Sequence, residues 1–380
     1  MNYYNFFKEL LKNADIKLDG DRTWDIKVKD VNMFSRIIEC GSLGLGESYV
    51  DEMWECEDLS TMTSKLLSSD IESKLTISNK LSVGASLGKQ KLKKLFNPQS
   101  ISQAKVDVSS HYDLGNDLYE RMLDPRMTYT CGYWKEASDL AQAQEHKLDL
   151  LCRKLGLSKG MRVLDIGCGW GSFMQFAAEK YGVICDGLTL SKEQAELGQS
   201  KANDAGLPIN FILQDYREYR PEYKYDAVVS VGMIEHVGPS NYREYFECAD
   251  RFMKEESIFL LHTIGSSISK VDCEPWIDKY IFPNGVIPSL AQLAQAMEPK
   301  FNIEDLHNFG PDYDLTLCAW YENFEQSWPE LQSKYGERFF RIWRYYLLSC
   351  AGAFRARDIS LWQLALTKGD RSLPESVRAV

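Results

Sequence analysis

Five apolar runs, MRVLDIG, GVICDGLTL, INFILQD, DAVVSVG and SIFLLHTIG, recur between residues 161 and 265 with amphipathic stretches between them. They are too continuously apolar for strands with one wet face, so they read as strands buried on both sides. Strands that alternate with helices build a parallel sheet covered by helices on each face. The expected fold class is therefore α/β, with a doubly wound, mostly parallel sheet, and ligands are expected in the crevice beyond the carboxyl ends of its strands.

The rest of the chain divides around that sheet. Residues 1–65 carry turn signals such as Leu18-Asp19-Gly20-Asp21 and a glycine-dotted run, Gly41, Gly44 and Gly46, and are expected to form a smaller N-terminal α+β domain. Over 66–107 the composition shifts to Ser, Lys, Asn and Gln, with Lys89, Lys91, Lys93 and Lys94 grouped before Phe96-Asn97-Pro98, which reads as a linker. Residues 108–380 form the large domain, closed by the aromatic-rich segments Phe339 to Leu348 and Arg355 to Leu366. With 380 residues, 44% of them apolar and 26% charged, the chain has a core to bury.

Charge and cysteine usage exclude several functions. A net charge of -11 argues against nucleic acid as a partner, because phosphate affinity needs clustered Lys and Arg. The ten cysteines include no CxxC pair, so neither a metal centre nor a disulfide framework is expected. The first helix-like stretch, MNYYNFFKELLKNADI, is interrupted by Lys8, Glu9, Lys12 and Asp15, unlike a secretory signal. No run approaches the roughly 20 apolar residues that span a bilayer. The expected location is cytoplasmic, with access to a membrane from its inner face only.

The first apolar run ends in a glycine turn, Leu164-Asp165-Ile166-Gly167-Cys168-Gly169-Trp170-Gly171-Ser172, which opens a helix. Glycines there let the backbone turn sharply and approach a ligand at the helix N-terminus. With Asp165, this form resembles the first motif of S-adenosylmethionine methyltransferases rather than a dinucleotide site. The second run ends in Thr189-Leu190-Ser191-Lys192-Glu193-Gln194, where Thr189 and Gln194 are placed to reach the ribose and methionine carboxylate, while Ser191 also caps the next helix. The third ends in Asp215-Tyr216, an acid for the adenine amino group beside an aromatic ring. Two further strand ends carry Glu235 with His236, and His262, a carboxylate and imidazoles facing one crevice. Upstream, HYDLGNDLY (111–119) and TYTCGY (128–133) form a polar, aromatic segment suited to cover a bound ligand.

Taken together, HYDLGNDLY, TYTCGYW, LDIGCGWGS, GLTLSKEQ, MIEHVG, LLHTIG, GPDYDLTL and CAGAFRARDISLWQ, in order from His111 to Gln363, resemble the cyclopropane-fatty-acyl-phospholipid synthases. The resemblance implies a Rossmann-like class I methyltransferase domain. It implies an enzyme that transfers a methylene group from S-adenosylmethionine to the cis double bond of unsaturated phospholipid acyl chains. It further implies that Tyr129, Thr130, Leu164 to Ser172, Thr189 to Gln194, Asp215 and Tyr216 bind the methyl donor. A bicarbonate ion is implied as well, held by Cys131 and Ile264 through main-chain atoms and by the side chains of Glu235, His262 and Tyr313. Cys350 reads as a small residue lining the acyl cavity, with an active-site nucleophile as the lesser alternative. The aromatic first helix (Tyr3, Tyr4, Phe6, Phe7), the Lys89–Lys94 group, Arg355 and Arg357 are candidates to meet the bilayer surface, and the resemblance implies a homodimer. Two other readings stay open: a lipid methyltransferase that leaves a methyl branch, a methylene or a hydroxyl, and a non-catalytic lipid- or S-adenosylmethionine-binding protein.

Overall fold

The computed structural model describes residues 3–69, 71, 99 and 115–369. The Lys89–Lys94 group and His111 to Leu114 lie outside the described residues. The chain forms two compact units, and neither is continuous in sequence.

The first unit draws its described residues from Met1–Pro98, Cys273–Pro283 and Tyr313–Ile359. Helices Tyr3–Leu11, Asn32–Cys40, Ser42–Val50 and Leu59–Leu67 surround a short antiparallel pair, β1 (Lys27–Val28) and β2 (Trp54–Glu55). Phe7 stacks on Phe34 at 5.0 Å and the Tyr4 hydroxyl donates to Asp19, so part of the aromatic first helix is occupied within the unit's own core. Gly44 and Gly46, taken from sequence as turn signals, lie inside a helix. Their missing side chains admit the Arg36 carbonyl and the Trp276 ring, which a methyl group would strike.

The helix Glu337–Arg355 packs in this same unit, so the segment Phe339 to Leu348 does not close the larger one as its sequence position implied. The reason is in its partners. The buried Arg341 guanidinium donates from Nε to the Tyr49 carbonyl (2.9 Å) and from Nη1 to Glu55 (3.0 Å), and lies 4.2 Å from the Tyr49 ring centroid. Gly352 lets the helix meet the Ser60 backbone, leaving no room for a side chain.

The second unit contains a seven-stranded sheet: β3 (Arg162–Ile166), β4 (Ile184–Thr189), β5 (Ile209–Leu213), β6 (Tyr225–Val231), β7 (Met253–Ser266), β8 (Phe301–Asn308) and β9 (Ile359–Lys368), in the order β5-β4-β3-β6-β7-β9-β8. The neighbours from β5 to β7 are parallel, while β8 and β9 pair antiparallel at the edge. This is the expected doubly wound α/β sheet.

Because side chains alternate along a strand, each face has its own core. On one face Leu164, Ile166, Val228, Phe259 and Leu261 pack with Tyr245, Phe246 and Phe252 of the helix Tyr242–Phe252. On the other, Val163, Val229 and Leu260 meet Leu148 and Leu151 of the helix Leu140–Lys154 and Phe173 of the helix Ser172–Tyr181. The strand order reverses at β3, which lies between β4 and β6. A crevice opens there.

Candidate active site

The crevice at the strand ends is lined first by Ile166, Gly167 and Gly169 from the β3 turn. Gly167 has φ +87°, and a β-carbon on it would lie 2.6 Å from Met233, so both backbone shape and space require glycine. The amides of Gly167 and Cys168 donate to the Leu188 carbonyl at 3.0 and 2.9 Å, which ties this turn to β4. Thr189, Leu190 and Gln194 line the next side. The Thr189 hydroxyl donates to Gln194 Oε1 (3.2 Å), and the Gln194 amide donates to Ser191 Oγ (3.2 Å), so Ser191 caps its helix as expected. Lys192 and Glu193 are exposed and do not line the crevice; Lys192 instead lies 3.5 Å from Glu196. The crevice is partly open to solvent.

From β5, Asp215 and Tyr216 reach the crevice together with two residues that sequence reasoning missed, Gln214 and Arg217. The Arg217 guanidinium grips Asp215 from Nε (2.8 Å) and Nη2 (2.7 Å), and its Nη1 donates to the Gln99 carbonyl at 3.0 Å. The hydrogen bond to Asp215 raises the Arg217 pKa. The signal available in the sequence was an acid and an arginine two residues apart after a strand, which a tight turn brings into a forked pair. Gly232, Met233, His236 and Val237, after β6, close the far wall.

Thr130 abuts that wall, since a methyl on Gly232 would sit 2.9 Å from its Cγ2. The helix Leu140–Lys154 holds Thr130 in place: Gln144 donates to its carbonyl (2.7 Å) and the buried Lys147 ammonium to its hydroxyl (2.9 Å). Tyr129 packs on Tyr119 (5.2 Å), which packs on Trp170 (5.0 Å). Asp165 lies beneath the glycine turn, 3% exposed, with Oδ1 lacking any hydrogen-bond partner. Burial pushes its carboxyl up to about 7 against the pull of Lys147, and burial lowers the Lys147 ammonium to about 8. Leu164 gives its side chain to the core.

The 3₁₀ turn Ile234–His236, directly after β6, carries Glu235. Its Oε1 accepts from the Ile264 amide at 2.8 Å; its Oε2 is buried with no hydrogen-bond partner. Burial pushes the carboxyl up to about 7, with the Ile264 amide opposing the rise. His262 lies on β7 opposite Val231 and two residues before Ile264, so the side chains of His262 and Ile264 share a face. Its Nδ1 is 3.2 Å from the Gln363 amide nitrogen, and its Nε2 is buried and unpartnered. Burial first, then the charges of Lys147 and Lys154, hold His262 well below its ordinary pKa. Glu235 and His262 therefore each offer an unsatisfied atom in a dry place. A buried polar atom left without a partner is costly, so each of the two is a candidate to meet a polar guest.

Cys131 is fully buried and donates to the Gly132 carbonyl (3.1 Å). Tyr313 and Cys350 belong to the first unit. There the Tyr313 ring lies 4.5 Å from Phe354 and 5.9 Å from Trp320, and burial pushes the Cys350 thiol up to about 12.

Known proteins resemble this chain in sequence and in fold. Residues 99–364 match the family model described as mycolic acid cyclopropane synthetase. The chain is 50% identical over 370 residues to the cyclopropane-fatty-acyl-phospholipid synthase of Escherichia coli (strain K12), covering 97% of this chain and 94% of that protein. Among solved structures, the cyclopropane synthase MmaA2 from Mycobacterium tuberculosis shares 31% identity at a TM-score of 0.64, over 69% of this chain and 97% of its own. The mycolic acid cyclopropane synthase CmaA1, complexed with SAH and CTAB, shares 30% at 0.65 over the same fractions.

Proposed function

This chain belongs to the cyclopropane-fatty-acyl-phospholipid synthase family of S-adenosylmethionine-dependent methyltransferases, and we propose that it builds cyclopropane rings on the unsaturated acyl chains of membrane phospholipids. One observation carries the reading: Glu235 Oε2 and His262 Nε2, both buried and unpartnered, stand at neighbouring strand ends beside a crevice with the glycine turn of a methyl-donor site.

The chemistry requires such a place. An alkene is a weak nucleophile, so its π pair attacks the sulfonium methyl only when held in line, and positioning is worth about 7 to 11 kcal/mol in favourable cases. As the new carbon–carbon bond forms, the methyl–sulfur bond breaks, S-adenosylhomocysteine departs, and a carbocation remains. The methyl then loses a proton and its freed C–H pair closes the ring. A base must lie alongside and water must be kept out, or an alcohol forms instead.

Bicarbonate, when bound there, would supply that base. The residues present fit it: a carboxylate oxygen to accept from its hydroxyl and an imidazole N–H to donate to its anionic oxygens; main-chain groups at Cys131 and Ile264 complete the ligand set that the family resemblance implies. Glu235 and His262 hold and orient, and the fully buried Cys131 helps keep the place dry. Tyr313 as a further ligand, and Cys350 as a residue of the acyl cavity, rest on the family resemblance. Around the donor, the backbone from Leu164 to Ser172 is proposed to cradle the methionine part, Thr189 and Gln194, beside Leu190, to reach the ribose and methionine carboxylate, and Asp215 and Tyr216 to meet the adenine, with Tyr129 and Thr130 as cover.

No helix among the described residues is long and apolar enough to cross a membrane. The proposed mode is docking at the bilayer surface as a homodimer. The test mixes the protein with vesicles of a monounsaturated phospholipid and methyl-labelled S-adenosylmethionine, with and without bicarbonate. A labelled cyclopropane that forms more slowly in carbonate-free buffer is expected. A methyl-branched or hydroxylated chain refutes ring closure, and no labelled lipid refutes the enzyme reading.

A further inference from the structure

His262 is 1% exposed and neutral, and a neutral imidazole has one N–H and one lone pair. Which nitrogen keeps the proton is decided by what faces the other one. The group facing Nδ1 comes from β9: Gln363, fully buried, with its amide nitrogen 3.2 Å away. The meeting is built into the sheet. β7 and β9 are neighbours, and Trp362 packs over Gly265 where any side chain would collide, which sets the height of β9 against β7. Leu260 and Ala365, each two residues from His262 and Gln363, lie in the same core, so both polar side chains emerge on that face. The helix Leu140–Lys154 covers this face with two buried lysines, Lys147 and Lys154, which disfavour an imidazolium.

We propose that Gln363 is a positioning residue: its amide N–H occupies His262 Nδ1 and so keeps the ring proton on Nε2, the unpartnered nitrogen. The imidazole then presents a donor where Glu235 presents an acceptor, a polarity matched to an anion that still carries one proton. With the amide turned the other way, its oxygen would demand the proton on Nδ1, and Nε2 would repel the same guest. The tautomer is a property of the resting protein; its use in turnover rests on the proposed function above.

The test is nitrogen NMR of protein labelled with ¹⁵N-histidine in carbonate-free buffer. His262 is one of five histidines and is assigned by its loss in His262→Gln. The wild type is expected to show a protonated Nε2 and an unprotonated Nδ1. Gln363→Glu, close to isosteric and acceptor-only when ionised, is expected to draw the proton to Nδ1 and to slow turnover about 10- to 100-fold, the usual cost of losing a histidine's orienting partner. S-adenosylhomocysteine affinity should stay unchanged and serves as the check on folding; Gln363→Met provides a second variant that removes the donor without adding charge. A wild-type proton on Nδ1, or a tautomer unmoved in both variants, overturns the assignment. If the proton moves and turnover holds, the tautomer assignment stands and the anion-holding role of His262 falls.

Discussion

Replacing Glu235 by Gln should change how stability depends on pH more than it changes stability itself. In the folded protein the Glu235 carboxyl is raised from its ordinary value of 4.5 to about 7, chiefly by burial. A proton held more tightly in the folded state stabilises fully below about pH 4.5, and that stabilisation is lost as pH rises through 7. Each tenfold change in proton affinity is about 1.4 kcal/mol, so the whole loss is about 3 kcal/mol, most of it, roughly 2 kcal/mol or more, between pH 5 and pH 8. Gln keeps the acceptor for the Ile264 amide but places a buried NH₂ where Oε2 had no partner, at a pH-independent cost of about 1 to 3 kcal/mol. The two effects cross: the wild type is more stable at pH 5, and the difference shrinks or reverses by pH 8. Asp165, Lys147 and His262 also have displaced pKa values, so only the difference between the two proteins is informative. Urea unfolding at both pH values in carbonate-free buffer reads it. Parallel pH dependence of the two proteins would mean that the carboxyl titrates as if in water, and the dry seat proposed for the anion would lose its basis. Turnover of Glu235→Gln should fall far more than its affinity for the methyl donor, since the residue does not line the donor crevice.

Arg217→Met strips the forked pair from Asp215, whose side chain is 1% exposed, and breaking a buried pair costs about 3 to 5 kcal/mol. The distorted adenine end should weaken S-adenosylhomocysteine binding about tenfold or more in calorimetric titration while turnover at saturation changes less, and equal affinity would remove Arg217 from the site. Cys350→Ala should keep most of its turnover, and the wild-type thiol should alkylate slowly at neutral pH because burial holds it up near 12; abolished turnover would favour the nucleophile reading.

The parallel sheet was legible because buried strands are written as continuous apolar runs, and the loops after them fall at one edge by topology alone. Thr189, Asp215 and the glycine turn could thus be placed from local sequence. What escaped was set by partners distant in the chain. Gln363 meets His262 across 101 residues, and Lys147 reads as one polar residue among several on a mixed helix until Asp165 and Thr130 are folded against it. Gly44 and Gly46 carry a local turn cue that tertiary packing overrides, because the space they leave is filled by Arg36 and Trp276. Arg217 was closer to hand, two residues from an acid already singled out.

The first unit is gathered from three stretches of chain, and this has an evolutionary consequence. Tyr49 and Arg341, bonded to one another, are separated by 292 residues, and Trp276 rests on Gly46 from a third stretch. An early substitution must therefore be answered late in the same gene. The opening segment cannot be shed or traded between relatives as a cassette without stranding a buried guanidinium and baring an indole.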